Sequence, residues 1–106
     1  MSDGNWVRAC GADEIDEEDL ISWEHEGRLI AIYNTEKGFF ATEGMCTHED
    51  QDLADGFVIG TVIECPLHQG RFDIPSGKAL SAPVCVDLKT YPVKVEAGEV
   101  FVDVGS

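Results

Sequence analysis

Cys46-Thr47-His48 and Cys65-Pro66-Leu67-His68, with sixteen residues between them, are the two stretches on which the reading of this chain turns. Each offers one thiol and one imidazole. Two cysteines and two histidines suit tetrahedral zinc, and they also suit a [2Fe–2S] centre in which two histidines replace two cysteines on one of the irons. Zinc fingers generally keep cysteine with cysteine and histidine with histidine. Here each stretch mixes the two, and the first spaces them by a single residue, which favours the iron–sulfur centre over a zinc-stabilised structural module. Neutral imidazoles in place of two thiolates raise the formal charge of such a centre from about −2 to about zero. An added electron is then easier to accommodate, and potentials lie at roughly −150 to +300 mV instead of about −400 mV. The chemistry implied is one electron in and one electron out.

Working outward from the two stretches, the chain reads as many short strands separated by turn residues. Expected strands are Trp6–Ala9, Leu20–Glu24, Arg28–Tyr33, Phe39–Thr42, Val58–Glu64, Arg71–Ile74, Ala79–Leu80, Tyr91–Glu96 and Glu99–Val104. Glu26-Gly27, Glu36-Lys37-Gly38, Pro75-Ser76-Gly77-Lys78 and Ala97-Gly98 supply the turns. Asp13 to Asp19 holds six acids in seven residues and is expected as a helical turn or a solvated loop. The fold class is all-β, with both Cys/His stretches on loops between strands, where a rigid scaffold presents function.

At 106 residues the chain is expected to form a single domain, 1–106. It holds 21 acids against 7 bases, a net charge of −14. That excludes nucleic acid and an anionic membrane surface as partners, since both require Lys and Arg. No apolar run approaches the roughly 20 residues of a membrane span, and the polar start Met1-Ser2-Asp3-Gly4-Asn5 lacks the features of a secretion signal. A cytoplasmic protein is expected. Cys10 and Cys85 are read as small buried thiols, His25 as an exposed turn histidine, Trp6 and Trp23 as packing residues, and Asp73 and Lys78 as turn charges. No phosphate-cradling glycine motif is present, so no nucleotide site is expected.

The segment Cys46-Thr47-His48 … Leu53 … Gly56 … Glu64-Cys65-Pro66-Leu67-His68-Gln69-Gly70-Arg71-Phe72-Asp73 … Gly77 … Pro83 … Tyr91-Pro92-Val93 resembles the Rieske-type [2Fe–2S] ferredoxins of bacterial multicomponent, aromatic-ring-hydroxylating oxygenase systems. The resemblance covers nearly the whole chain. It implies a Rieske fold of three antiparallel sheets, with a small cluster-binding subdomain at about 43–83 inserted in a base domain. It implies one Rieske-type cluster, with Cys46 and Cys65 on the inner iron and His48 and His68 on the outer iron near the surface. It implies a soluble, monomeric one-electron carrier that takes electrons from a flavin-containing, NAD(P)H-dependent ferredoxin reductase, passes them to a terminal oxygenase and performs no bond chemistry alone. A Rieske-type small subunit of a larger oxidoreductase, such as nitrite reductase, is the alternative.

The departures from the pattern also carry information. Respiratory-chain Rieske proteins join their two loops by a disulfide; the second of those cysteines would fall at Leu67, and no cysteine follows His48 in the first loop. Those proteins also place hydroxyls two and four residues after the second histidine, where this chain has Gly70 and Phe72. Hydrogen bonds to the sulfurs stabilise the reduced state, so their absence points to the low end of the Rieske range. Glu49 and Gln69 stand after the histidines where glycine is frequent. No Lys or Arg occurs between Lys37 and Arg71, while Glu43, Glu49, Asp50, Asp52, Asp55 and Glu64 do; these acids are expected to lower the potential further and to guide docking to basic partners.

Overall fold

The structure, a computed structural model, describes residues 5–46, 51–66, 70–81 and 86–105. Among these, eleven strands form three antiparallel sheets. One contains β1 (Trp6–Gly11), β11 (Glu99–Asp103) and β10 (Val93–Glu96), in that order. The second runs β2 (Asp19–His25), β3 (Arg28–Thr35), β4 (Gly38–Glu43) and β9 (Thr90–Tyr91). The third runs β5 (Phe57–Ile59), β6 (Val62–Glu64), β7 (Arg71–Asp73) and β8 (Ala79–Ser81).

The second sheet is the middle layer, and β3 shows why. Side chains alternate across a strand, so a strand covered on both faces is apolar throughout. Ile30, Ala31, Ile32 and Tyr33 are all fully buried. Ile30 and Ile32 join Val100, Val102 and Tyr91 in the core shared with the first sheet. Ala31 and Tyr33 point the other way, into a core with Ile63, Phe72, Ile74 and both motif cysteines, Cys46 and Cys65. The chain leaves the middle sheet after Glu43 and returns when β9 pairs with β4 (Thr42 opposite Thr90). The third sheet is therefore an insertion in the other two.

Glu26-Gly27 and Ala97-Gly98 close two-residue hairpins with positive φ at both positions (50° and 83°, 53° and 78°), the backbone twist that tight hairpins favour.

Two expected strands are divided. Val58–Glu64 is a hairpin, with β5 and β6 joined at Gly60-Thr61 and Gly60 at φ 63°. The β-branched residues on either side conceal the turn in the sequence, and glycine alone tolerates that backbone without strain. Tyr91–Glu96 splits at Pro92, which has no N–H for a ladder. Tyr91 stays in the middle sheet while Val93 pairs with Val102 in the first.

The acidic run begins as a 3-10 turn, Ala12–Glu14, in which Glu14 Oε2 accepts from the Gly11 N–H at 2.8 Å. It is tied to the end of β3: Glu18 N–H donates to Asn34 O at 2.7 Å and Asn34 Nδ2 donates to Ile15 O at 2.8 Å, with Ile15 buried. His25 is not an exposed turn residue. It ends β2 half-buried, stacked on Trp23 with ring centroids 5.2 Å apart. Lys94 Nζ lies 4.5 Å above the Trp6 ring. Asp73 serves its turn, accepting from Ser76 N–H and Oγ at 3.1 and 2.6 Å. Cys10 is buried, and burial raises its thiol pKa, with Glu14 adding and Arg8 opposing. Cys85 lies outside the described residues.

Candidate metal centre

The two motif cysteines stand at corresponding places in two loops. The first loop leaves β4. Gly44 N–H donates to Leu29 O (2.9 Å), Leu53 N–H donates to Gly44 O (2.8 Å), and Cys46 N–H donates to Gln51 O (2.9 Å). The second loop joins β6 to β7, and Cys65 N–H donates to Gly70 O (2.8 Å). In each loop the cysteine amide is closed onto the carbonyl five residues later. Each closed span contains the motif histidine. His48 and His68 themselves, with Thr47, Glu49, Asp50, Leu67 and Gln69, lie outside the described residues.

Both cysteines sit on the inner side of their loops. Cys46 is 5% exposed and Cys65 is fully buried, neither is in a disulfide, and both belong to one apolar cluster with Leu53, Ile63, Phe72 and Leu88. Two soft sulfur donors brought into one core on facing loops are what one iron of a binuclear centre requires. Burial disfavours a free thiolate, so two cysteines that ligate here need a compensating cation. A bound metal meets that need. Among the described residues no group of three or more potential metal ligands occurs, so any further donors come from outside them.

The loops are held together from below. A Cβ on Gly56 would lie 2.1 Å from the Glu64 carbonyl oxygen, so glycine there lets the start of β5 close against the end of β6, next to Cys65. Asp52 caps the 3-10 turn Leu53–Asp55 by accepting from Ala54 N–H (2.9 Å), and Ser22 Oγ of β2 lies 2.7 and 2.9 Å from its two carboxylate oxygens. Inside the core, the Tyr33 hydroxyl donates to Thr42 Oγ1 (2.8 Å), which donates to Glu43 O (2.7 Å) where the first loop departs. Burial raises the Tyr33 pKa above the ordinary tyrosine value, and the Asp52 charge adds to it.

Sequence reasoning did not single out Tyr33, Thr42 or Ser22. Asp52 directly before Leu53-Ala54-Asp55 is a capping signal that could have been read. Several acids expected to guide docking have structural partners. Glu43 Oε1 accepts from Lys89 N–H at 2.7 Å, Asp52 caps a turn, Asp55 Oδ2 accepts from Gln51 Nε2 at 3.1 Å, and Glu64 pairs with Arg71 at 3.2 Å. Gly70 and the fully buried Phe72 offer no side-chain hydroxyl beside Cys65.

The Rieske [2Fe-2S] domain family matches residues 5–92. The chain belongs to that family. Its cofactor is accordingly one Rieske-type [2Fe–2S] cluster, which supplies a single reversible redox equivalent. The chain is 49% identical over 92 residues to the ferredoxin component of the naphthalene 1,2-dioxygenase/salicylate 5-hydroxylase systems of Ralstonia sp., covering 87% of this chain and 88% of that one. The Sphingomonas yanoikuyae B1 ferredoxin superposes with a TM-score of 0.88 at 38% identity, covering 93% and 98% of the two chains. A chain in the complex of reduced oxygenase and oxidized ferredoxin in carbazole 1,9a-dioxygenase superposes with a TM-score of 0.91 at 33% identity, covering 98% and 97%. The family assignment decides for the iron–sulfur centre over zinc.

Proposed function

We propose that this Rieske protein is the ferredoxin component of a multicomponent dioxygenase system. It takes single electrons from a flavin-containing, NAD(P)H-dependent reductase and delivers them to a terminal oxygenase. Cys46 and Cys65 hold the inner iron; His48 and His68 hold the outer iron and form the edge through which electrons pass. The observation that carries this reading is the pair of matched loops, each closed from its cysteine amide onto the fifth residue beyond, that bring two buried cysteines into one core. Relatives at 38 to 49% identity that are ferredoxin components or subunits of naphthalene and biphenyl dioxygenase systems support a shuttle over a permanent small subunit of a larger enzyme.

The protein's own contribution is positional. The loops fix the donors, the apolar core excludes water from the cysteine side, and Gly70 and Phe72 leave the sulfurs without side-chain hydroxyl donors. A potential in the lower part of the Rieske range follows. Among the described residues no helix is long and apolar enough to cross a membrane, which with the net charge of −14 supports a soluble, cytoplasmic monomer.

Stopped-flow mixing tests the role. The oxidised protein should be reduced by an NAD(P)H-charged ferredoxin reductase, and the reduced protein should be reoxidised by a terminal Rieske oxygenase in a one-electron step. A holoprotein that exchanges electrons with neither would refute the proposal. Gel filtration with co-expressed neighbours separates the shuttle, which elutes alone, from a permanent subunit, which does not.

A further inference from the structure

The third sheet has one covered face and one open face, and the open face carries apolar groups among its polar ones. Val58, Ile63 and Phe72 pack inward against the middle sheet. Cross-strand partners share a face, so the opposite side carries the rows Phe57–Glu64–Arg71–Ser81 and Ile59–Val62–Asp73. Phe57 is 63% exposed, Ile59 56% and Leu80 50%, so this one small sheet holds three of the six large exposed hydrophobics among the described residues. Between Ile59 and Leu80 lies an open hollow of about 300 Å³, lined also by Val62, Arg71 and Ser81. The Ser81 Oγ is buried there without a hydrogen-bond partner. The solvated face of a sheet is ordinarily polar, and gathered apolar groups with an unsatisfied hydroxyl mark a contact surface.

We propose that this face is a docking surface for the terminal oxygenase, taking an apolar side chain into the hollow and basic residues around it; the proposal rests on the electron-carrier reading above. Position is the first argument. The loop bearing Cys65 and His68 leaves the sheet between Glu64 and Arg71, so Phe57 stands on the rung nearest the metal-bearing end, and a partner covering that end reaches it. Charge is the second. A second copy of this chain would bring −14 against −14, while Arg71, the one base on the face, is already paired with Glu64 at 3.2 Å. A basic rim on the partner complements this surface. The third is selectivity. A shuttle meets two partners in turn at one metal-bearing end, and a lateral apolar contact made to one of them distinguishes the two. A ferredoxin of this fold at 33% identity is found in complex with its oxygenase, and the buried centre of a protein–protein interface is more apolar than its charged rim.

The test uses the holoprotein, its Phe57→Ser/Ile59→Ser/Leu80→Ser variant, and the purified oxygenase component of the Ralstonia naphthalene 1,2-dioxygenase/salicylate 5-hydroxylase system as the probe. Affinity is measured by calorimetry at about 0.15 M and about 1 M salt, where the screening length falls from about 8 to about 3 Å. Wild-type binding should largely survive the higher salt. The variant should bind at least about tenfold more weakly at both, as loss of an apolar anchor does. Its visible spectrum, its EPR g-values and its rate of reduction by the reductase should be unchanged. An unaltered affinity in the spectrally intact variant overturns the proposal. A slowed reductase step with unaltered oxygenase affinity assigns the face to the reductase and overturns it equally. A wild-type dimer that the variant abolishes assigns it to a second copy. A wild-type holoprotein that exchanges electrons with neither component fails the functional reading itself, and this proposal with it.

Discussion

The first and middle sheets and the inserted third sheet are held by different means. In the base, β2 and β3 pair over seven residues, and β1, β10 and β11 form a sheet, with one register shift between Arg8 and Cys10, that packs Val100 and Val102 against Ile30 and Ile32. Register, alternation and tight hairpins suffice there. In the insertion, β5 to β8 have three residues each, too few to persist as an isolated sheet. What holds it is local: the Gly56 approach, the Asp52 cap, the two loop closures, and a core whose edge is formed by Cys46 and Cys65. A region built on such short strands is expected to depend on its metal, and the base to stand without it. Coupling of metal binding to folding is expected in such sites.

Replacing Cys65 with Ala should break that comparison most severely. The expected outcome is complete loss of the cluster colour, with hydrogen exchange becoming fast in β5–β8 and staying slow in β3 and β11. Uniform loss of protection would show that both regions rest on the metal.

Gly56→Ala places a methyl group where the Glu64 carbonyl stands and should cost about 3 kcal/mol, the upper range for an overpacked site. Denaturant unfolding of the holoprotein measures it, and the loss should appear with weaker cluster retention.

Gly70→Ser with Phe72→Tyr offers the insertion two hydroxyls. If either reaches a sulfur with a net worth of about 1.4 kcal/mol, the one-electron potential should rise by about 60 mV, read by redox titration.

Tyr33→Phe probes the seam between the regions. It removes the donor to Thr42 and should cost about 1 kcal/mol at neutral pH. Because burial raises the folded-state pKa of Tyr33, its contribution is full below the unfolded value of about 10 and is lost as pH rises beyond it. The variant should therefore show a shallower decline in stability above about pH 10 than the wild type.

Ala97→Gly acts on the base alone. Ala97 adopts φ 53° in the β10–β11 turn, and glycine there should be worth about 0.5 kcal/mol, with the visible spectrum unchanged. Thermal unfolding of the two holoproteins gives the comparison.

The same division governs how much could be read from the sequence. In the base, Ala97-Gly98 sits between alternating runs and Glu26-Gly27 precedes the apolar run Leu29 to Tyr33, and both hairpins were legible. Pro92 was visible, but the switch of sheet it marks depends on which neighbours Tyr91 and Val93 find, a tertiary fact. In the insertion, Val58-Ile59 and Thr61-Val62-Ile63 gave a β signal that hid the turn at Gly60. The cysteine and histidine spacing announced the metal chemistry because ligand type and separation are local properties. The supports beneath the loops join residues far apart in the chain: Ser22 to Asp52 spans 30 positions, and Gly56 meets Glu64 only once the hairpin has formed. His25 was misread because its stacking on Trp23 needs a strand where a turn was expected.

The EPR spectrum of the dithionite-reduced protein, taken on a sample with iron and acid-labile sulfide quantified, tests the central claim most directly. Sulfur ligation of one iron and imidazole ligation of the other predicts two irons and two sulfides per chain and an average g-value below that of an all-cysteine cluster. It also predicts nitrogen hyperfine coupling that disappears in His48→Cys/His68→Cys. An all-cysteine spectrum without nitrogen coupling, or a protein that contains zinc and no labile sulfide, would contradict it.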